Sequence, residues 1–425
     1  MALDASAYAR LDEALAEVDA ELARDYPGTT GNRQPVHTAY VPADRFTAEL
    51  PRDWGAHALA ALTERLPDAA ALADVLGVPT PIAAEVLPRL RSKLATEPIE
   101  DLRVDFEDGY GARPDAEEDA AAVAAAQALG TLQLPFRGLR CKSLEPSTRR
   151  RAIRTLDLFL GGMLAGGAVL PGGALLTGGA VLPAGFVVTL PKVTHVGQVS
   201  AFAGLCAELE KAHGLAGGEL RFEIQVETPQ TILAADGTAA IARMLRAGAG
   251  RVAGLHYGTY DYSAACGVAA PYQSLAHPVA DHAKAVLLLA AAGTGVAVSD
   301  GSTNVLPVGP AAAVLDAWRL HARLVRRSLE RAYYQGWDLH PGQLVSRYGA
   351  TYAFYREGMP EACERLRGYL ANSAGGVLDE PATAQGMASL LVRGLHCGAL
   401  DADEVSERAG VPVQMLHELF RRRIG

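Results

Sequence analysis

The sequence predicts an α/β fold, a (β/α)8 TIM-type barrel with an N-terminal helical extension and a C-terminal helical appendage. Two observations lead to this prediction. Eight short apolar segments rich in β-branched residues recur with helical stretches between them, which is typical of parallel strands joined by crossover helices. They span about 310 residues, within the roughly 200 to 400 that such barrels occupy. A doubly wound parallel sheet with extra strands is the alternative.

The elements follow in a simple order. An acidic amphipathic helix over residues 1–25 comes first. The predicted strands are Val36–Ala43, Leu102–Asp108, Leu139–Leu144, Phe186–Lys192, Leu220–Glu227, Arg251–Gly258, Gly295–Gly301 and Gly336–Leu344. We assign residues 1–349 to the barrel domain and residues 350–425 to the C-terminal helical region. A Gly-rich insert over residues 161–185 carries no charged residue, which favours a surface loop over an active-site lid.

Composition limits the classes of function. Hydrophobic residues make up 49% of the 425 residues and charged residues 20%, so the chain can bury a core. A net charge of −9 argues against a nucleic-acid partner. No apolar run approaches the roughly 20 residues that cross a bilayer, and the five cysteines are widely spaced, as in reduced proteins. We therefore expect a cytoplasmic protein that binds neither nucleic acid nor a membrane.

Charged and polar side chains cluster where the predicted strands end. They are Asp105, Glu107, Asp108, Arg140, Lys142, Lys192, Glu227, Asp261, Asp300 and His340. The C-terminal ends of barrel strands open onto one face, so residues remote in sequence are expected to meet there in a single pocket. Each residue taken alone is also compatible with the polar end that any strand needs.

Glu227 and Asp261 are the candidate metal ligands. They close the adjacent fifth and sixth strands, and adjacent strands lie under about 5 Å apart, so their side chains can share one ion. Mg²⁺ prefers oxygen ligands and usually takes only one or two protein carboxylates; Mn²⁺ is the alternative ion. The other interpretation is that both residues cap the helices that follow.

Arg140 and Lys192 are the candidate cationic groups. Arg140 offers a planar fork of donors for a carboxylate or enolate oxygen, and a structural ion pair with Asp105 or Glu107 is the alternative. Lys192 could act as a Schiff-base nucleophile if desolvation lowered its pKa. Because the neighbouring carboxylates would keep it protonated, we expect Lys192 to be a charge partner instead.

Six short motifs carry a family resemblance. In order, they are VDFEDG, LRCKS, LPKV, QVETP, YGTYDYSAACG and GWDLHPGQ. With these motifs the chain resembles the HpcH/HpaI aldolase and citrate lyase β-subunit superfamily, and within it the citrate lyase β and malyl-CoA lyase branch. The resemblance implies a barrel of the phosphoenolpyruvate/pyruvate kind, Mg²⁺ on Glu227 and Asp261, and Arg140 on the carbonyl or enolate oxygen of the substrate. It also implies a trimeric or hexameric homo-oligomer and allows a coenzyme A thioester substrate.

The chain also departs from the pattern of the superfamily. Pyruvate aldolases of the HpaI kind have Asp-x-Glu-His where this chain has Asp105-Phe106-Glu107-Asp108, so Asp108 replaces their acid/base histidine. The Gly-rich insert and the RQPVHTAYVP motif around His37 are further differences. These differences indicate a divergent subfamily with a different substrate.

The predicted activity is Mg²⁺-dependent cleavage or formation of a carbon–carbon bond next to a carbonyl, in a 2-oxo acid or a 3-hydroxyacyl thioester. The substrate is a small-molecule carboxylate, and the reaction passes through an enolate that a metal stabilises as a Lewis acid. One alternative is a metal-free Schiff-base aldolase that uses Lys192. The other is a catalytically silent barrel that serves as a binding or scaffold protein.

We assign further residues to roles in this activity. We expect Asp105 to orient a water on the metal as an outer group. The proton could be moved by Asp108, His37, His256 or His340. Additional candidate substrate contacts are Lys192, Gly258, Thr259 and His340.

Overall fold

A computed structural model describes residues 5–165, 181–371 and 380–421. Its eight strands are β1 (His37–Pro42), β2 (Asp101–Asp105), β3 (Phe136–Arg140), β4 (Phe186–Leu190), β5 (Arg221–Val226), β6 (Val252–Tyr257), β7 (Ala297–Ser299) and β8 (Gly336–Asp338). All pairs are parallel and the order is β7-β6-β5-β4-β3-β2-β1-β8. Two backbone hydrogen bonds close the ring, from Asp300 N to Gln335 O (2.8 Å) and from Trp337 N to Gly301 O (3.3 Å). The (β/α)8 prediction is therefore confirmed.

Helices surround the barrel and extend it at both termini. They are α1 (Ala5–Asp25), α2 (Leu50–Arg65), α3 (Ala69–Leu76), α4 (Thr80–Thr96), α5 (Asp115–Thr131), α6 (Arg149–Ala165), α7 (Val196–His213), α8 (Pro229–Ile232), α9 (Ala240–Ala247), α10 (Thr259–Ala265), α11 (Pro278–Ala291), α12 (Ala311–Leu329), α13 (Gln343–Leu370), α14 (Pro381–Cys397), α15 (Ala402–Ala409) and α16 (Val413–Arg421). Two short 3₁₀ turns, Ala43–Arg45 and Ala270–Tyr272, complete the set. Within the described residues, no single helix is long and apolar enough to span a membrane, although the bent pair α3–α4 meets that length and composition test.

The alternation of side chains along β5 explains how the barrel positions its polar groups. Phe222, Ile224 and Val226 face outward and join the apolar core between strands and helices. Glu223 and Gln225 alternate with them and point into the barrel, and Glu227 follows in the same phase at the C-terminal end of the strand. A single strand therefore supplies both the apolar layer and a row of inward polar groups.

The barrel interior contains a buried polar network where many barrels have aliphatic layers. Arg103 forms ion pairs with Asp101 and with Glu223, and His256 Nε2 lies 2.9 Å from Glu223 Oε2. Thr189 Oγ1 also donates to Glu223, at 2.5 Å. Although burial opposes the charge, Arg103 and His256 lower the pKa of Glu223 well below its ordinary value. Each charge in this layer is paired, as burial in a protein interior requires.

The C-terminal helices form a second apolar core against the barrel. Buried side chains of α13 pack in this core with α2, α3, α4, α12 and α14, and Arg356 pairs with Glu85 and Glu404. Residue 350, where we expect the domain boundary, falls inside α13. Most of the Gly-rich insert over residues 161–185 lies outside the described residues, since α6 ends at Ala165 and the description continues from residue 181.

Candidate active site

The ammonium of Lys192 lies among four carboxylates at the C-terminal face of the barrel. Lys192 Nζ is 2.9 Å from Asp108 Oδ2, 3.3 Å from Glu107 Oε1, 3.5 Å from Asp261 Oδ2 and 3.9 Å from Glu227 Oε2. We call Glu107, Asp108, Glu227 and Asp261 the carboxylate cluster. They come from the ends of β2, β5 and β6, so residues up to about 150 positions apart meet at one point, as barrel topology predicts.

A tight turn after β4 places Lys192 in the cluster. Its φ of 50° lies in the left-handed region, which is uncommon for a residue with a Cβ atom. In this conformation the backbone N–H of Lys192 donates to Glu227 Oε1 at 2.5 Å. Although partial burial opposes the charge, Glu227, Glu107 and Asp108 raise the pKa of the Lys192 amine above its usual range. Lys192 is therefore a cation at this site, and it holds Glu227 through its backbone as well.

Glu227 is almost completely buried at the end of β5. Its Oε2 accepts a hydrogen bond from Gln225 Nε2 at 2.5 Å. Burial raises the pKa of Glu227 to about 8, against the opposing effects of Lys192 and Arg140. Gly258 makes this placement possible, because a Cβ atom on it would lie 2.6 Å from the Glu227 Cβ. The structure thus gives Gly258 a packing role beside the candidate ligand.

Asp261 lies in the first turn of α10, and about half of its side chain is exposed. The N-cap of α10 is Gly258, and Asp261 is directed at Lys192 instead of a free backbone N–H. Glu227 likewise bonds to Lys192 and Gln225 and not to the start of α8, which Thr228 precedes. The helix-capping interpretation of Glu227 and Asp261 is therefore wrong.

Arg140 and Asp105 form a buried bidentate pair beside the cluster. Arg140 Nε and Nη2 donate to Asp105 Oδ1 and Oδ2, both at 2.7 Å, and Nη1 donates to Gln225 at 3.1 Å. Asp105 also accepts hydrogen bonds at 3.0 Å from the backbone N–H groups of Glu107 and Gly109. Each Asp105 oxygen therefore already accepts two hydrogen bonds. The structural ion pair that the sequence left open for Arg140 is present, and Arg140 still reaches the cluster, with Nη1 3.6 Å from Glu107.

Glu107 and Asp108 are adjacent but electrostatically different. Burial raises the pKa of Glu107 to about 7, with a further contribution from Asp108. Asp108 is more exposed, and although its partial burial opposes the charge, hydrogen bonding with Lys192 lowers its pKa. Of the two, Glu107 is the carboxyl group that can exchange a proton near neutral pH.

Several predicted residues lie outside the cluster. Thr259 Oγ1 donates to Ser302 O at 3.1 Å, and His340 accepts from Gly342 N at 3.0 Å while its ring contacts that of His57. Both residues follow strand ends, but their hydrogen bonds hold loops. Two further strand-end residues form ion pairs away from the cluster, Lys142 with Glu118 and Asp300 with Lys284.

Two histidines that we considered for proton transfer are bound elsewhere. His37 is the first residue of β1, and its Nδ1 lies 2.7 Å from Asp338. His256 sits in the interior layer between Glu223 and Trp337. Gln225, in contrast, was missed by the sequence reading although it bridges Arg140 and Glu227. Its position two residues before Glu227, on the same face of the strand, is a signal that could have found it.

The donor set fits a hard divalent cation. The cluster offers only carboxylate oxygens, the ligand type that Mg²⁺ prefers, and two protein ligands are enough for this ion. Lys192 already places a positive charge at the point where Glu227 and Asp261 approach each other. In the part of the chain that the structure describes, no group of three or more His, Cys, Asp or Glu side chains is arranged to enclose a metal. Glu227 and Asp261 are the two carboxylates available to such an ion near Lys192.

Comparisons with known proteins give a family and a fold. Residues 15–424 match the model of a family described as Domain of unknown function (DUF6986). A citrate lyase from Burkholderia xenovorans is similar in structure, with a TM-score of 0.58, 17% identity, and coverage of 89% of this chain and 97% of that one. This likeness confirms the barrel fold that the motif resemblance implies. No curated protein matches the chain.

Two other solved structures are similar over most of their length. Protein CitE from Mycobacterium tuberculosis, in complex with magnesium, acetoacetate and coenzyme A, has a TM-score of 0.49 and 16% identity, covering 87% of this chain and 99% of that one. The magnesium/glyoxylate complex of Haloferax volcanii malate synthase has a TM-score of 0.47 and 13% identity, covering 92% and 98%.

Proposed function

The chain belongs to the DUF6986 family, and for this member we propose a Mg²⁺-dependent carbon–carbon lyase activity that cleaves or forms a bond next to a carbonyl through an enolate. The observation that carries the proposal is the carboxylate cluster around Lys192, with Arg140 beside it. The six ordered motifs support the same chemistry. The substrate class is a small carboxylate, either a 2-oxo acid or a 3-hydroxyacyl thioester such as that of coenzyme A.

Glu227 and Asp261 would hold the metal ion, either Mg²⁺ or Mn²⁺. The ion would supply Lewis-acid polarisation of the carbonyl that accepts the electron pair of the broken bond. The numbers of acidic and basic side chains at the site indicate that an added positive charge would be favourable there. Asp105 and the four members of the cluster oppose only two basic groups, Arg140 and Lys192.

Arg140 would bind the substrate oxygen on which negative charge develops. Its hydrogen bonds to Asp105 and Gln225 use three of its five N–H groups, which leaves one on each terminal nitrogen. Because Asp105 fixes the guanidinium in two places, these remaining donors are held in one orientation before substrate arrives, which is the condition for electrostatic stabilisation of a transition state. We therefore assign Asp105 a positioning role in place of the water-orienting role expected from sequence.

Glu107 is the group that we assign to proton transfer. It is buried between Lys192 and Arg140, and its pKa is raised to about 7, which suits a group that must gain and lose a proton near neutral pH. Asp108 is ionised and paired with Lys192, so it serves as a charge partner. This assignment replaces Asp108, His37, His256 and His340.

The surroundings of Lys192 oppose the Schiff-base alternative. A Schiff base needs a neutral amine, whereas the cluster raises the pKa of Lys192 and favours its ammonium form. Borohydride reduction with pyruvate present separates the two mechanisms, since only a Schiff base would leave a covalent adduct on Lys192.

Proton exchange with solvent tests the proposed function, because it requires only that the enolate forms and not that the whole reaction takes place. In D₂O with Mg²⁺, the wild-type protein should exchange the methyl protons of pyruvate or acetyl-coenzyme A, measured by ¹H NMR, and excess chelator should stop the exchange. Glu227→Gln and Asp261→Asn should abolish both exchange and Mg²⁺ binding. Asp236→Asn, which alters an exposed acid paired with Arg243, is the matched control and should change neither. The proposal would be refuted if the exchange resisted chelator and both site variants retained it. A protein that binds no Mg²⁺ would favour the scaffold alternative.

A further inference from the structure

A cavity opens at the N-terminal face of the barrel, opposite the carboxylate cluster. Its volume is about 590 Å³, within the range of small-molecule sites. We call it the basal cavity and define it by Arg33, Arg103, Arg221, Glu223, His256 and Arg393. Glu223 lies four residues before Glu227 on the inward face of β5, so the layer of Gln225 and Arg140 separates the basal cavity from the carboxylate cluster.

The floor of the basal cavity is electrostatically satisfied. Arg103 pairs with both Asp101 and Glu223, and His256 bonds to Glu223 on one side and accepts from Trp337 Nε1 at 3.1 Å on the other. These groups need no ligand to complete their contacts. A ligand would meet a polar surface there, in which Asp101 and Glu223 share the one guanidinium of Arg103.

The walls carry an excess of positive charge. Arg221 donates only to the carbonyl of Val252, at 3.3 Å, and burial lowers its pKa, because no carboxylate of the described chain pairs with it. Arg393 donates to Gln34 at 2.9 Å and lies over the rings of Tyr334 and Phe420, at 4.2 and 5.4 Å. It is held in place by stacking, and among the described residues it too has no carboxylate partner.

The remaining charges on the wall cancel only part of this excess. Arg33 pairs with Glu97 and Glu100, yet its buried Nε has no hydrogen-bond partner within the described residues. The acid on the wall, Glu219, accepts from the backbone N–H groups of Leu182 and Ala216. Its negative charge offsets one of the two arginines that lack a carboxylate partner among the described residues, so a net positive charge remains on the wall.

The surroundings of a nearby histidine, His396, agree with a positive environment. Burial and the charges of His417, Arg33, Arg393 and Arg421 lower the pKa of His396 to about 4. His396 follows Arg393 by three residues on α14, so it lies on the same face of that helix. The corner of the fold that borders the basal cavity thus disfavours a further positive charge and would favour a negative one.

We propose that the basal cavity binds a small anion, with a carboxylate or phosphate group on Arg221 and Arg393 and a hydrogen-bonding body toward the Arg103–Glu223–His256 floor. Guanidinium groups bind both kinds of anion through paired N–H donors. The site does not depend on the proposed lyase activity, because it shares no residue with the carboxylate cluster.

The proposal is tested by calorimetric titration of the full chain with malonate and, separately, with inorganic phosphate. Saturable binding of either probe is expected, and the preferred probe identifies the anion class. Arg221→Met combined with Arg393→Met removes both proposed guanidinium contacts and should weaken binding at least about tenfold, which corresponds to about 1.4 kcal/mol. Arg243→Met is the matched control, an exposed arginine that pairs with Asp236, and it should bind as the wild type does.

Two further variants test whether the probe binds at the basal cavity and not at the carboxylate cluster, and whether weaker binding has a cause other than misfolding. Glu227→Gln should leave binding of the preferred probe unchanged, and Arg221→Met alone, at the exposed start of β5, should weaken it without loss of the folded state. Binding that Glu227→Gln removes but the arginine variants retain would overturn the proposal. Absence of saturable binding of both probes would overturn it as well.

Discussion

Replacement of Lys192 by methionine should strengthen Mg²⁺ binding. The ammonium now lies between the two candidate ligands, 3.5 Å from Asp261 and 3.9 Å from Glu227, and a divalent ion held by both would have to displace it. Methionine has a similar length without the charge. It also keeps the backbone N–H that donates to Glu227, and at a φ of 50° it is no more strained than lysine, whereas glycine would change the conformational preference.

The size of the effect follows from these distances. At an effective dielectric constant of about 20, each of the two pairs contributes roughly 4 to 5 kcal/mol of Coulomb attraction. The side chain of Lys192 is 26% exposed, so a displaced ammonium regains water and solvent screening offsets most of that attraction. We expect a net gain of about 1.4 kcal/mol, which is tenfold in the dissociation constant of Mg²⁺.

Calorimetric titration of metal-free protein with MgCl₂ at one pH measures this gain directly. Lys211→Met, which removes an exposed lysine near the end of α7, is the control for total charge and should leave the affinity unchanged. Equal affinities in the wild type and in Lys192→Met would refute displacement while leaving the metal site intact. Weaker binding in Lys192→Met would show that the lysine helps to hold the ligands in place.

Three further predictions concern the neighbours of Lys192. Arg140→Lys should slow pyruvate proton exchange about 10- to 100-fold, because a single ammonium cannot bond to both Asp105 oxygens and still present fixed donors; an unaltered exchange rate by ¹H NMR would restrict Arg140 to a structural role. Gly258→Ala should weaken Mg²⁺ binding about tenfold, since the new Cβ would lie 2.6 Å from that of Glu227 and must displace it; an unchanged calorimetric affinity would mean that the end of β6 adapts. With excess chelator present, Glu107→Gln should become more stable relative to the wild type as the pH rises from 4.5 to about 7. Over that interval Glu107 keeps its proton in the folded protein but has lost it in the unfolded chain, so a rising pH destabilises the wild type only. Thermal melts at several pH values measure this difference, and a difference independent of pH would contradict the raised pKa.

The sequence located all eight strands, because apolar runs between helical segments mark parallel strands well, but the bounds differ, and they differ most for the third and eighth strands. The third strand is Phe136–Arg140, several residues before the predicted Leu139–Leu144. Arg137 made this strand hard to predict, because a charged residue in a short segment is more typical of a loop. In the structure its guanidinium donates hydrogen bonds to the carbonyls of Leu132 and Leu134. The eighth strand ends at Asp338, because Pro341 and Gly342 begin the turn into α13.

The meeting of Lys192, Glu227 and Asp261 could be expected from sequence because each lies at or just beyond the C-terminal end of its strand. The direction in which each side chain points could not be predicted from the sequence. Asp300 follows β7 directly, yet its carboxylate pairs with Lys284 of α11 on the outer side of the barrel. His256 was correctly placed on a strand, but its burial in the interior layer depends on partners from other strands, which no local pattern reveals.

The distribution of paired and unpaired charge along the barrel axis connects the two proposed sites. In the middle layer, Arg103 pairs with both Asp101 and Glu223, so each of these buried ions has a partner. At the C-terminal face acidic groups exceed basic ones, and burial, with smaller contributions from Glu107 and Asp261, raises the pKa of Glu227 to about 8. At the N-terminal face Arg221 and Arg393 have no carboxylate partner among the described residues, and burial lowers the pKa of Arg221. A fold that only needed stability would pair these end charges as it pairs the interior ones, so we interpret the first face as built for a cation and the second as built for an anion.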